Sequence, residues 1–556
     1  MSSITYAVDA VPPPRITWLN ALQHISLSAV TLVFPRIVAE AAGADPGTIT
    51  AYVSLAMVAM GIGTLIQAFG RRGIGSGHLL LGHCTILYVP FAVEAARVGG
   101  LGAVAGLTII AGCTEMLLSR CLRALRAYVP PEIIGVVILL LGIMLGVFGI
   151  KLMIGAGPGG AAGPLEMAAS AITLVTIIAV ALWARPGLRS LAVLVGVATG
   201  CAAYVTLEIV VGDIGAATGE IALVGPVWPL AMPSFPAEFV PGFLIGALAC
   251  FIRAIADLTA CQQLADPNWK APDFKAIRAG TLADGLGCVV AGVIGVLGTN
   301  TYSGSVGLAA ANGVLARRVG IAAGVGWIIL GLTPGAASVL YAIPAGILGA
   351  ACFYSATFTV RTGIAMLAQR LVDSRRTLII GSAIVIATLA PELRGVLELP
   401  LLGQQVMNSP LAAAMLAALA LNAVLRLGIP RTATLRWTPE NGAAALQAFT
   451  DAQGRAWGAR VALMARAGNF LEEFGALLPR LAEAGSEAEA RLRYDEVGLQ
   501  IALSWQGAPL AIDAAPNPDA DDGSLQVALM RHWADEMTHD GETDGRQVLT
   551  VYVDDR

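Results

Sequence analysis

Up to Leu425 the chain alternates between long apolar runs and short polar breaks. Runs of about 17–25 residues match helices that cross a hydrocarbon layer of roughly 30 Å. The pattern predicts fourteen such segments: Ile16–Phe34, Thr48–Ala68, Leu79–Ala95, Leu101–Leu118, Pro131–Met153, Leu165–Ala184, Ser190–Val211, Pro241–Leu264, Ala279–Leu297, Tyr302–Val314, Ile321–Ala336, Ile343–Leu367, Thr377–Pro391 and Gln404–Leu425. Past Arg431 charge rises and the apolar period shortens. There, residues 445–485 read as helix. ARLRYDEVGLQIALSWQGAPLAI (490–512) reads as a hairpin, because it alternates around a turn. NPDADDGS (517–524) reads as a loop, SLQVALMRHWADEM (524–537) as a helix and RQVLTVYVDD (546–555) as a last strand. The expected architecture is an all-α polytopic membrane protein followed by a small α+β domain.

Two of the fourteen segments are short and begin with glycine and polar residues: GSGHLLLGHCTILYVP (75–90) and GTNTYSGSVGLAAANGV (298–314). They are the third and tenth, seven apart. Broken spans at corresponding places in two halves point to a transporter's substrate site. Unwound backbone at membrane depth needs a cavity or protein around its N–H and C=O groups. VPPEIIGVVILLLG opens the fifth segment and IPAGILGAACFYSA opens the twelfth, again seven later. Both echoes predict an internal repeat.

Composition agrees with the pattern. Of 556 residues 56% are hydrophobic and only 13% charged, with mean hydropathy +0.74; a soluble chain has about 25% charged residues. Basic loops (GRRG at 70–73, RCLRALR at 120–126, ARPGLR at 184–189, KAPDFKAIR at 270–278, ARR at 316–318, QRLVDSRR at 369–376) alternate with loops poor in Lys and Arg, such as 212–239. The positive-inside rule places both termini in the cytoplasm, for a protein of the inner-membrane type. The start, MSSITYAVDAVPPPR, lacks a basic region followed by an apolar one, so no cleaved signal peptide is expected. The eight cysteines form no CxxC or Cys/His cluster and read as small core residues. The net charge of −4, without a basic stripe, gives no reason to expect nucleic acid as a partner. No metal or cofactor is called for, and no nucleophile–base–metal constellation suggests an enzyme.

The chemistry sits where charge interrupts the apolar runs. FIRAIADLTACQQL (251–264) puts Arg253 and Asp257 one helical turn apart in the eighth segment. A carboxylate in a bilayer core is costly, so Asp257 must face a cavity or a partner. It would accept N–H groups of a ligand or carry a proton; alternatively Arg253 holds it as scaffold. TNTYSGSVG offers Thr301, Tyr302, Ser303 and Ser305 at a helix start, whose free N–H groups bind polar ligands. LNALQHISLSAV places Gln23 and His24 inside the first segment, candidates for the site or its gating. His83 and Thr85 lie where the third segment would meet the tenth. Asp284 is a helix-cap, coupling or scaffold group. Glu115 and Arg120 read as snorkelling residues near a segment end.

These stretches resemble the nucleobase–cation symporter-2, or nucleobase–ascorbate transporter, family of xanthine, uric acid and uracil permeases, over residues 15–430. The similar elements are LQH (22–24), VPPEIIGVVILLLG, RAGTLADGLG, NTYSGSVGL and IPAGILGA. The resemblance implies two inverted seven-segment repeats, short strands in segments 3 and 10, a core domain and a gate domain, alternating access between them, and a homodimer. It implies that Asp257, one methylene shorter than the usual Glu, binds the base. It also implies that backbone at Tyr302 and Ser303 lines the site. Three positions depart from the family: Cys261 stands where some uracil permeases have His, Gly304 where Glu or Gln contacts the base, and Ser305 where Asn is usual. Arg253 is not part of the pattern. The implied function is a permease that takes up a nucleobase or similar heterocycle with protons or another coupling cation. A small-anion transporter on the same fold and a membrane sensor signalling through its tail are the alternatives. The implied domains are a cytoplasmic tail (1–14), the transporter domain (15–430) and a soluble domain (433–556). In the last, Asn469 and the hairpin resemble in order a histidine-kinase-like ATPase that lacks its Asp-x-Gly. A regulatory domain of the sulfate-permease type is the rival.

Overall fold

A computed structural model describes residues 4–70, 73–122, 130–156, 162–189, 191–211, 227–228, 230–266, 269, 272–368, 374–394, 396, 399–425, 432–438, 442–457, 459, 461–483, 486–494, 498–510, 512, 523–541 and 546–554. The chain divides into two compact units, one of residues 1–125, 133–365 and 382–418, the other of 126–132, 366–381 and 419–556. Parts of the loops GRRG, RCLRALR, KAPDFKAIR, QRLVDSRR and 212–239, and most of NPDADDGS, lie outside the described residues.

Helices of eight residues or more are α1 Pro14–Ala29, α2 Val33–Ala41, α3 Pro46–Phe69, α4 Val89–Arg120, α5 Pro131–Met153, α6 Pro164–Trp183, α7 Ala192–Val211, α8 Val240–Ala265, α9 Phe274–Ile294, α10 Ser303–Asn312, α11 Arg317–Leu332, α12 Ala345–Leu367, α13 Ser374–Arg394, α14 Leu401–Asn408, α15 Pro410–Leu425, α16 Gly442–Trp457, α17 Val461–Leu481 and α18 Ser524–Trp533. Many open on proline, which brings no N–H into a first turn that has no acceptor for one. Among the described residues nine helices are long and apolar enough to cross a membrane, or ten if the bent pair α14–α15 counts as one.

Several boundaries differ from the apolar pattern. The first helix does not stop at Phe34; it runs on through a 3-10 turn, Val30–Leu32, to Ala41. The third segment is not one span: strand β1, Gly82–Cys84, comes first and helix starts only at Val89. From there α4 continues for 32 residues through a break at Gly100, whose φ is 65°. The last expected segment, Gln404–Leu425, is not one straight span either: the chain bends by 106° between α14 and α15. The cause is Pro410, which holds Ser409 in extended backbone (φ −116°, ψ 92°). Cys113 and Cys121 are exposed, not core.

Glycines set the closest helix packing. A Cβ on Gly112 of α4 would lie 2.6 Å from the Gly285 carbonyl oxygen of α9, and one on Gly285 would lie 2.8 Å from that of Gly112. Small residues allow this approach where apolar attraction cannot drive helices together in lipid. Gly112→Val should therefore destabilise the protein by about 1–3 kcal/mol through overpacking. The check is the melting temperature in detergent, and an unchanged value would contradict the close approach.

The N-terminal tail is held in place. Tyr6 forms a parallel bridge with Val314, and Arg317 pairs with Asp9 at 2.8 Å.

The second unit contains a five-stranded antiparallel sheet of β3 Thr432–Trp437, β4 Ala488–Tyr494, β5 Gly498–Gln506, β6 Glu536–Gly541 and β7 Arg546–Asp554, in the order β3-β4-β5-β7-β6. Strand residues alternate in and out. Leu499, Ile501, Leu503 and Trp505 thus meet Phe470 and Phe474 of α17 in one core. The expected helix over 445–485 is two helices, and the expected helix 524–537 ends at Trp533 because Glu536 and Met537 pair in β6 with Tyr552 and Val551. Strand β3 lies outside the expected elements, although TATLRW alternates. Arg376, read as part of a basic loop, is buried against Glu132 at 2.9 Å.

Candidate functional site

The two glycine-rich stretches meet. Strand β1 pairs antiparallel with β2, Thr299–Thr301, in the register Gly82↔Thr301, His83↔Asn300 and Cys84↔Thr299. Each strand is three residues long and buried, and each leads into a helix: β1 into α4, β2 into α10. Two short strands followed by two helix starts place free backbone N–H groups near each other inside the bundle. The chain breaks its helices here because Gly, Thr and Asn satisfy extended backbone without filling the centre. Thr64 Oγ1 accepts from Gly82 N at 3.0 Å, and Leu81 O accepts from Tyr302 N at 3.0 Å.

Helix α8 passes beside this crossing and delivers its charged pair. Asp257 is fully buried and Arg253 is 3% exposed. Thr301 Oγ1 donates to Asp257 Oδ2 at 2.8 Å. Arg253 Nε stands 3.7 Å from the same oxygen. It also points at Ser303 Oγ at 3.4 Å, while Nη1 reaches Thr85 Oγ1 at 3.5 Å. A usual N–H···O bond spans about 2.7–3.2 Å, so the guanidinium is held loosely on every side. Asp257 Oδ1 has no hydrogen-bond partner among the described residues. The pair therefore presents a spare acceptor and a cation with donor capacity, side by side and out of water.

The first helix braces α10. His24 Nδ1 and Ser305 Oγ are 3.1 Å apart, and Asn312 Nδ2 donates to Gln23 Oε1 at 2.6 Å and to Asn20 Oδ1 at 3.0 Å. The Tyr302 hydroxyl donates to Leu27 O at 3.4 Å, and its ring packs on His83 with centroids 4.6 Å apart. That ring explains Gly304: a Cβ there would lie 2.6 Å from Tyr302 Cζ and 2.9 Å from its hydroxyl. Gly304, Gln23, Leu27, Arg189, Tyr354 and Phe358 are among the residues lining a small cavity.

The structure brings Thr85, Arg253, Asp257, Thr301 and Ser303 into one cluster, with His24, Ser305, Tyr302 and Gly304 beside it. Gln23 is in the α1–α10 brace and on the cavity wall. Cys261 is buried among Leu80, Leu258 and Val306 in an apolar cluster. Asp284 is not at a helix start; it sits midway along α9, and Asn300 Nδ2 donates to it. Glu115 is not a snorkelling residue. It is 1% exposed and accepts a hydrogen bond from the Tyr88 hydroxyl at 2.5 Å. Asn300 and Gln67 are polar groups of this region that the sequence analysis does not single out. Only their occurrence inside apolar runs could have flagged them.

Apolar helices of membrane-spanning length, interrupted at a buried polar crossing, define an integral membrane protein, and the family match below makes it a permease and not an enzyme. The match to the family model confirms the class. Residues 15–394 match the model Xan_ur_permease, described as "Permease family", and the chain belongs to this family, that of the xanthine/uracil and nucleobase–ascorbate permeases. It is 27% identical over 420 residues to the "Putative purine permease CPE0397" of Clostridium perfringens (73% of this chain, 90% of that protein). It is 24% identical over 454 residues to the "Xanthine permease XanP" of Escherichia coli K12 (76% of this chain, 95% of that protein). Among solved structures, the transmembrane domain of the cyanobacterial bicarbonate transporter BicA matches with a TM-score of 0.46 at 16% identity, covering 75% of this chain and all of that one.

Proposed function

We propose that the chain is a secondary active transporter that imports a nucleobase of the xanthine, uracil or uric acid class together with protons. Family membership and relatives named as xanthine and purine permeases support a nucleobase permease. The observation that carries the substrate assignment is the Arg253–Asp257 pair. Oxopurines and pyrimidinediones present ring N–H donors beside carbonyl acceptors on one edge. The unpartnered Asp257 Oδ1 accepts from the N–H, and the loosely held Arg253 donates to the carbonyl oxygen. The backbone at Tyr302 and Ser303, with Thr85, completes the site. Gly304 brings no side chain where the family resemblance implies a carboxylate or carboxamide, the Tyr302 ring covers its Cα, and Arg253 takes over part of that recognition. His24 and Gln23, through Ser305 and Asn312, gate the half-helix α10.

In this reading the 15–430 region forms fourteen segments as two inverted repeats, divided into a core carrying β1, β2 and α8 and a gate that moves against it. The protein sits as a homodimer in a bacterial inner membrane with both termini cytoplasmic. Residues 433–556 form a cytoplasmic regulatory module, in which Asn469 binds no nucleotide.

The test is uptake of radiolabelled xanthine, uracil and urate by the full chain in proteoliposomes, with unlabelled nucleobases and small anions as competitors. Saturable uptake of a nucleobase, competed by nucleobases but not by bicarbonate or sulfate, is expected. Inhibition by anions alone would replace the nucleobase with an anion. A chain ending before residue 433 should keep uptake. Loss of uptake by a folded truncation would make the tail part of the machinery and revive a signalling role.

A further inference from the structure

Half-helix α14 follows α13, which begins beside the basic loop at 369–376 and is long enough to cross the membrane, so α14 comes at the opposite end of the bundle. Glu94, in the second turn of α4, and Glu238, in the 3-10 turn Ala237–Phe239 that precedes α8, meet it there. The Asn408 side-chain amide donates to Glu94 Oε1, and Gln405 Nε2 donates to Glu238 O at 3.2 Å. Gly242, in the first turn of α8, makes room for the contact. A Cβ there would lie 2.7 Å from Phe91 Cδ1 of α4 and 3.1 Å from Gln405 Oε1. The face of α14 that meets α4 and α8 is closed, with Gln405 only 1% exposed, while Leu401 and Leu402 are each 48% exposed.

Two features mark this contact as one that opens. It is only half satisfied: Gln405 Oε1 and Asn408 Oδ1 are buried and have no donor among the described residues. A buried acceptor without a donor is a cost that water removes on opening. Helix α14 is also set off from α15 by the 106° bend, with Ser409 in extended backbone before Pro410. A change of backbone angle at one such residue swings a short element without unwinding the helix beyond it.

We infer that α14 is the outer latch of this permease: Asn408 and Gln405, bonded to Glu94 and to the Glu238 carbonyl, hold the outer mouth shut, and release of both bonds opens it to substrate. This rests on the reading in which a gate containing the last segments moves against a core carrying the site. Helix α4 continues from β1, and α8 carries Arg253 and Asp257, so the two bonds tie both site-bearing helices to the gate. An amide on a carboxylate suits repeated opening, because no buried ion pair has to be parted.

Two measurements on the full chain test this. A Ser303→Cys probe in sealed vesicles is labelled from outside with a membrane-impermeant thiol reagent, and read above the labelling of the chain with Ser303 intact. Asn408→Asp, which sets a like charge against Glu94, should speed labelling by about tenfold. Adding Glu94→Gln exchanges donor and acceptor across the same contact and should restore protection, which a merely misfolded variant would not do. In proteoliposomes, a short bis-methanethiosulfonate joining Glu94→Cys to Asn408→Cys should stop xanthine uptake, and a reducing agent should restore it. Labelling unchanged by Asn408→Asp, protection not restored by the exchange, failure of the two cysteines to join, or uptake undiminished once they are joined overturns the latch. Xanthine uptake with any of these results leaves the nucleobase reading standing without it. Labelling that follows the latch variants in a chain that takes up no nucleobase supports the latch and defeats the nucleobase reading instead.

Discussion

Asp257→Asn is expected to cut xanthine affinity by about ten- to a hundredfold. The side chain keeps its shape, so the effect isolates charge. The variant loses a charge-assisted hydrogen bond to the ligand, worth about 1.5–3 kcal/mol, and each 1.4 kcal/mol is about tenfold in affinity. It also loses the anion that faces Arg253 across 3.7 Å. Thr301 can still bond the amide, so β2 should keep its place. The measurement is the xanthine-induced shift in melting temperature of purified protein, with radioligand binding alongside. Unchanged affinity would remove Asp257 from the substrate site and return it to scaffold.

Arg253→Gln should show the second large effect, and on stability before function. Removing one partner of a buried ion pair leaves the other charge without compensation, at a cost of about 3–5 kcal/mol. Gln reaches part of the space toward Thr85 and Ser303 but brings no charge. The melting temperature should fall and nucleobase uptake should be lost. Arg253→Lys should restore stability better than uptake, because an ammonium supplies charge without the planar fork that Arg offers an acceptor. The double variant Asp257→Asn/Arg253→Gln separates the two roles. With both charges gone its stability should recover toward the parent, since the coupling between contacting sites is not additive. Its uptake should stay absent. If the double variant is as unstable as Arg253→Gln alone, Asp257 is not the charge that Arg253 neutralises.

The departure at Gly304 has a local cause that bears on both experiments. The Tyr302 ring covers the Cα of Gly304 so closely that any side chain would collide with it. A longer polar residue at 304 needs Tyr302 to move, and Tyr302 is held by His83 and by the Leu27 carbonyl. On the proposed reading, the position at which the family resemblance implies base recognition is thereby closed, and recognition falls to the neighbouring α8 pair.

Much is legible along the chain because the solvent acts on each segment locally. A run of apolar residues long enough to cross hydrocarbon is recognisable without knowing its neighbours. So are the polar stretches 75–90 and 298–314, where helix gives way to strand, and the isolated charges Arg253 and Asp257. Helix ends and bends are less legible. The bend at Ser409–Pro410 is written in a proline that the apolar pattern simply runs across. Glu115 reads as a snorkelling residue because a carboxylate near a segment end looks the same whether it reaches water or another helix.

The sequence by itself determined the membrane class, the family and the residues at which polar chemistry interrupts the bilayer, because these follow from composition and short-range pattern. Only the tertiary structure decided which of those groups meet. It set His83 against Tyr302, closed Gly304, and tied Asn312 of α10 to Gln23 of α1. Such pairings join segments far apart in the chain, and they depend on helix rotation and on glycine contacts of a few ångströms. Neither is carried by the order of apolar and polar residues alone.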